Sequence, residues 1–98
     1  MSTQLLIELS NKEGAQVVFL ALESYKARLL SGIERTKRRL GEFEQRYQTS
    51  TDDFLKNMAA EDLAEGDLEY VEWAGEAQLL KSLEHEFIEL EHAHYQLP

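Results

Sequence analysis

A helical stripe runs through the first half of the chain: Val18, Leu22, Tyr25, Leu29, Ile33, Thr36, Leu40, Phe43 and Tyr47. Steps of three and four keep these side chains on one face of a 3.6-residue helix, whereas a strand would scatter them to both faces. The pattern predicts one helix from Ser10 to about Gln48, a rod of roughly 55 Å. A rod of that length has no core of its own, so its apolar face must be covered by another helix. A second stripe supplies one: Trp73, Ala77, Leu80, Leu83 or Glu84, Phe87 and Leu90, widened by Leu79 and Ile88. Phe54, Leu55 and Met58 make a short apolar face between the two.

Start and stop signals divide the chain further. Ser10 and Glu13 have capping-box spacing, with serine as N-cap and glutamate three residues on. Leu9 would face Gly14, so no hydrophobic staple forms there. Thr49-Ser50-Thr51-Asp52-Asp53 reads as a break with a fresh N-cap, and its aspartates suit the positive end of the next helix. Residues 61–66 are an acidic connector ending on Gly66, a residue suited to a C′ position, and Asp67 caps the second long helix. The expected architecture is all-α and a single domain over 1–98. It comprises an extended arm over 1–9, a helix over 10–48, a short connecting helix over 51–60 and a helix over 67–95. The two long helices run antiparallel, coiled-coil or bundle-like. Gln4 to Leu9 is left open between an arm, a frayed helix start and a short N-terminal strand, which would need a mate from another chain.

Composition narrows the function classes. With no cysteine, thiolate chemistry and disulfides are excluded. The longest apolar run, Val17 to Leu22, is six residues, far short of the roughly 18 that span a bilayer. The N-terminus lacks a basic stretch of the secretory kind, so the cytoplasm is the expected compartment. Net charge is −9, but unevenly spread. Residues 1–50 hold eight Lys/Arg and six Asp/Glu, a balance of +2; residues 51–98 hold two and thirteen, a balance of −11. The acidic half repels nucleic acid and attracts basic surfaces, or simply solvates a helical face.

Arg35, Lys37, Arg38 and Arg39 form a basic girdle on the first long helix. Glu84, Glu86, Glu89 and Glu91 are dense on the second. Pairing between them, within one hairpin or across subunits, accounts for the girdle better than direct nucleic-acid binding, because no recognition module accompanies it. Glu89, His92 and His94 include the Glu-x-x-His spacing of di-iron bundles. A di-iron site needs a second such motif and facing glutamates, and the first helix offers only Glu34, Glu42 and Glu44 among many bases. The expectation is therefore no metal, no cofactor and no catalysis. Neither a Gly-rich phosphate loop nor a nucleophile–base pattern is present.

Two groups of residues are candidates for association. Tyr70, Trp73 and Phe54 combine large aromatics with small neighbours; they read as core anchors, or as anchors for a protein partner. Val17, Leu20, Ala21 and Leu30 form a second apolar row beside the main stripe of the first helix. One row can meet the second long helix while the other needs a further surface. The expected result is a dimer or higher homo-oligomer, with Ser31-Gly32 at the crossing point.

Two longer stretches carry a family resemblance. Phe43-Glu44-Gln45-Arg46-Tyr47-Gln48-Thr49-Ser50-Thr51-Asp52-Asp53-Phe54-Leu55 is one; Gly66-Asp67-Leu68-Glu69-Tyr70-Val71-Glu72-Trp73-Ala74-Gly75-Glu76 is the other. Preceded by Ile7-Glu8-Leu9-Ser10, they resemble small helical antitoxins of prokaryotic toxin–antitoxin pairs, some of them encoded beside TumE-like toxins. The chain departs from that pattern at Gln48-Thr49, where a glycine turn is expected. The resemblance implies neutralisation of a toxin by binding, as an oligomer, with no catalytic residues. Electrostatics adds that an acidic C-terminal half suits masking a basic toxin. Two alternatives stay open: a homo-oligomeric coiled-coil scaffold, and a metal-binding bundle built on the Glu/His cluster.

Overall fold

The computed structural model describes residues 3–57 and 67–93. Among the described residues there are three helices in order: α1, Lys12–Tyr47; α2, Thr51–Asn57; and α3, Leu68–Glu91. The fold is all-helical and bundle-like, with α1 packed along α3. Of the expected 51–60 helix, residues 58–60 lie outside the described residues, as do 94 and 95 of the expected 67–95 helix.

Cross-helix contacts fix the direction. Arg46 reaches Glu69, Arg39 reaches Glu72, Lys37 reaches Glu84, and Lys26 reaches Glu91. Partner numbers climb on α3 as they fall on α1, so the helices are antiparallel. Twenty residues of α1 span about 30 Å, and the matching 22 of α3 about 33 Å, so the two rods stay in step. Their lengths differ, however: 36 residues against 24, or about 54 Å against about 36 Å. The molecule's long axis of 56 Å is essentially the length of α1. Among the described residues, α1 runs on about 20 Å past the Lys26–Glu91 contact.

The buried face of α1 is Leu29, Gly32, Ile33, Thr36, Leu40 and Phe43, the C-terminal half of the stripe read from the sequence. From α3, Trp73 and Ala77 are buried, whereas Leu80, Leu83, Phe87 and Leu90 are only half-buried. Two helices enclose only the strip between them, and on α3 burial is complete only toward the end where α2 adds a third wall. That wall produces one compact cluster of Leu40, Phe43, Phe54, Trp73 and Ala77.

The start of α1 differs from the sequence expectation. Asn11, not Ser10, is the N-cap: its backbone is extended and its Oδ1 accepts from the Gly14 N–H at 2.9 Å. Asparagine and serine are equivalent in this role. The one-residue shift puts Glu13 at the second helical position, where it cannot close a capping box. Residues 3–9 carry no regular structure, and no strand occurs among the described residues. A lone strand has no second backbone to pair with. Leu5 and Leu6 on this arm stand 86% and 85% exposed.

The end of α1 replaces the expected glycine turn with Gln48 in the left-handed region, φ 52° and ψ 43°. Its N–H and that of Thr49 both bond to the Glu44 carbonyl, closing the helix. Ser50 then starts α2: its Oγ accepts from the Asp53 N–H at 3.1 Å, while the Glu44 carboxylate takes the Thr51 N–H at 2.7 Å. Caps on both sides of a three-residue link fold α2 back against the hairpin.

Glycines 41 and 75 lie inside α1 and α3, and a methyl group at either would meet nothing within 4 Å. Gly41→Ala and Gly75→Ala are each expected to stabilise the fold by about 0.8–1 kcal/mol, because helical glycine sacrifices more backbone entropy than alanine. Urea denaturation of the two single variants and the double variant checks this, and unchanged or lowered midpoints would contradict it.

Candidate functional site

Five of the chain's nine aromatic side chains meet where α1, α2 and α3 converge. The Trp73 indole is fully buried and lies parallel to Phe54 at 3.9 Å between centroids. Phe43 and Tyr47, from α1, lie at 5.5 Å with their rings close to parallel to it. Tyr70 presents its edge to Tyr47 and Phe54. The indole N–H, which must find an acceptor once buried, donates to Thr51 Oγ1 at 2.9 Å. Trp73 and Phe54 are thus consumed by the chain's own core, and neither presents a surface to a partner. Of the three expected anchors, Tyr70 alone is partly exposed, at the rim.

A polar clasp closes the outside of this cluster. The Glu69 carboxylate receives both the Arg46 guanidinium and the Tyr47 hydroxyl. Sequence pattern does not reveal this clasp, since Glu69 is one acid among many. Its position in the first turn of α3, opposite the last turn of α1, is what selects it. Toward the other end of the hairpin, the Tyr25 hydroxyl donates to Glu86 at 2.6 Å. A carboxylate that accepts from a phenol holds the proton in place. The hydrogen bond to Glu69, aided by desolvation, pushes Tyr47 up to about 12; the bond to Glu86, likewise aided, raises Tyr25 above 10.0.

Alkaline pH should therefore weaken the fold. Unfolded tyrosines release their protons near pH 10, while the folded chain keeps these two. The stability they confer is complete below pH 10 and is lost as pH rises toward 12. Denaturation midpoints should fall between pH 9 and pH 11.5 by more in the native chain than in a Tyr25→Phe, Tyr47→Phe double variant. Equal falls in the two proteins would refute the assignment.

The basic girdle divides between two directions. Lys37 pairs with Glu84 at 3.9 Å, and Arg39 bridges Glu42 and Glu72 at 3.3 and 3.2 Å while lying over the Phe43 ring. Arg35 and Arg38 make no ion pair among the described residues and face away from α3. Arg28 lies 5.9 Å from the centre of the Tyr25 ring but has no carboxylate partner there either. These exposed pairs contribute about 0–1 kcal/mol each, so they set the register more than they hold the hairpin.

The residues expected for self-association are separated by the structure. Val17 and Leu20 are 65% and 63% exposed, and Leu30 is 44% exposed. Val17 and Leu20 share one side of the helix, and Leu30 does not join them. At about 100° per residue, Leu20 lies roughly opposite the buried Leu29–Leu40 line, Val17 about 120° to one side and Leu30 about 100° to the other. Gly32 is buried instead at the α1–α3 seam, with Leu83 Cδ1 3.3 Å from where its Cβ would be. It is a crossing point, but an internal one, used by the chain's own α3.

The expected metal candidates sit at the far end of α3. Glu89 and His92 are exposed, His92 caps the helix, and His94 lies outside the described residues. Among the described residues no group of three His, Asp or Glu converges to hold a metal ion. Nor is any described helix long and apolar enough to cross a membrane.

The result is an asymmetric molecule of the helical-hairpin class. One end is sealed by stacked aromatics. At the other, Leu5, Leu6, Ile7, Leu9, Val17 and Leu20 account for half of the twelve large apolar side chains left exposed among the described residues. No known protein family, curated protein or solved structure matches the chain.

Proposed function

We propose that this chain is a non-catalytic interaction protein that self-associates and neutralises a protein partner by binding it in the cytoplasm, as the antitoxin half of a toxin–antitoxin pair does. The observation that carries the reading is the aliphatic end. Six large apolar side chains within residues 5–20 stand in water on a scaffold whose other end is closed. Burying each one removes roughly 1.5–3 kcal/mol of unfavourable hydration, a strong drive toward a protein surface. The balance of −11 over residues 51–98 supports a basic partner.

The test is co-expression with the product of the adjacent gene. A stoichiometric complex, with relief of the growth arrest that product causes alone, is the expected result. Neither complex nor relief would end the antitoxin reading. The same aliphatic end also favours a second reading, a homo-oligomeric scaffold without a heterologous partner. That reading keeps the self-association and predicts a mass above 11.3 kDa for the pure chain in sedimentation.

A further inference from the structure

We infer that the solvent face of the α1 overhang is an antiparallel seam with a second copy of this chain, in which Glu13 of each copy pairs with Arg28 of the other. This rests on the self-association proposed above and specifies its geometry.

The face is defined by helical spacing. Glu13, Val17, Leu20, Ala21, Ser24 and Arg28 fall within about 50° of one line along α1, on the side turned away from α3. All six are exposed. The four central residues are uncharged, and Ala21 and Ser24 are small enough to let a second helix approach closely. One acid closes the face at its N-terminal end and one base at its C-terminal end. Neither Glu13 nor Arg28 has an ion-pair partner among the described residues, whereas Lys26, Lys37, Arg39 and Arg46 along the same helix all do.

Charge selects both the occupant and its direction. A second copy laid parallel would set glutamate beside glutamate and arginine beside arginine. Laid antiparallel about a two-fold axis between Leu20 and Ala21, it sets Leu20 against Ala21, Val17 against Ser24, and Glu13 against Arg28, each twice. The seam spans 16 residues, about 22 Å, close to the length by which α1 outruns its Lys26–Glu91 contact with α3. Rejection of the parallel form comes from repulsion, and attraction across the small-residue centre comes from burying Val17 and Leu20. An isologous contact of this kind closes at two copies and does not propagate into fibres.

The experiment combines mass with distance in the full chain. Monomer and dimer populations are first quantified by analytical ultracentrifugation across a concentration range. Glu13→Arg and Arg28→Glu should each weaken the dimer by roughly tenfold or more, since each creates two like-charge contacts, and the combined swap should restore it. Helix content by circular dichroism confirms that the variants fold. The chain has no cysteine, so Gln16→Cys, exposed at the edge of the face, and Ser31→Cys can each carry a single spin label. The seam predicts about 16 Å between the two backbones at position 16 and about 33 Å at position 31. A monomer at every concentration overturns both the seam and the self-association reading. A dimer unmoved by the charge swaps, or with short distances at both positions, overturns the seam alone. If only Arg28→Glu dissociates it, arginine is meeting an acid elsewhere, such as α3 of the second copy, and the seam is likewise wrong.

Discussion

Replacing Trp73 with alanine is expected to cost about 3–5 kcal/mol, the largest loss any single truncation here should produce. The side chain is fully buried, and three rings lean on it from two other helices. Removing it leaves a void that Phe43, Phe54 and Tyr47 cannot fill without abandoning their own contacts. It also strips the Thr51 hydroxyl of its donor. Small domains are stable by only about 5–15 kcal/mol, so the variant should sit near its unfolding threshold at room temperature. Trp73→Phe separates the two contributions: it retains most of the stacking and loses the hydrogen bond, and should cost clearly less. Urea midpoints for the two variants check the order. An alanine variant within about 1 kcal/mol of the native chain would mean that α2 and the aromatic cluster are not formed in solution.

The second large effect is expected from adding volume. Gly32→Leu should destabilise by about 1–3 kcal/mol or more, because even a Cβ at that position would lie 3.3 Å from Leu83 Cδ1. Leucine brings three further carbons to the place Leu83 occupies, so Leu83 must swing out of the seam or α1 and α3 must separate locally. The better helix propensity of leucine, worth up to about 1 kcal/mol over glycine, does not offset this. Gly32→Leu, Leu83→Ala should recover part of the loss by opening space across the seam. Thermal melts of the single and double variants test that coupling; a double variant no better than the sum of its parts would show that Gly32 and Leu83 do not touch.

Helix number, order and antiparallel pairing are legible in the sequence because periodicity reports directly on which face is buried. The stripe from Leu29 to Phe43 is the buried face of α1. The basic girdle against acidic α3 is half legible: Lys37 and Arg39 cross to α3, while Arg35 and Arg38, on the other side of the helix, do not. Leu30 drops out of the second apolar row for a geometric reason. Val17, Leu20 and Leu30 are all apolar and near one another in sequence, but the 10-residue step from Leu20 to Leu30 rotates about 80° around the helix. Gly32 does mark a close approach, but to α3 of the same chain, since a small residue announces proximity without saying to what. The same limit applies to Trp73, whose aromatic neighbourhood marks either a core or a docking surface; only the position of α2 decides. The N-cap shifts by a residue because Ser10 and Asn11 are equally good acceptors and the choice lies in the backbone, not the side chain.

The unequal lengths of α1 and α3 also bear on how the chain opens and closes. The aromatic junction joins residues 43 to 73, a short stretch of sequence, so its contacts need little loop closure and can form early. Pairing can then spread from that junction like a zipper, ending at Lys26 and Glu91. In the monomer, at concentrations where sedimentation shows no dimer, amide protection should follow the same gradient, greatest around Leu40 to Tyr47 and lowest over residues 12–25, as hydrogen exchange read by mass spectrometry would show; uniform protection along α1 there would contradict it. The end of the rod that closes last is then also the end most easily reshaped by contact.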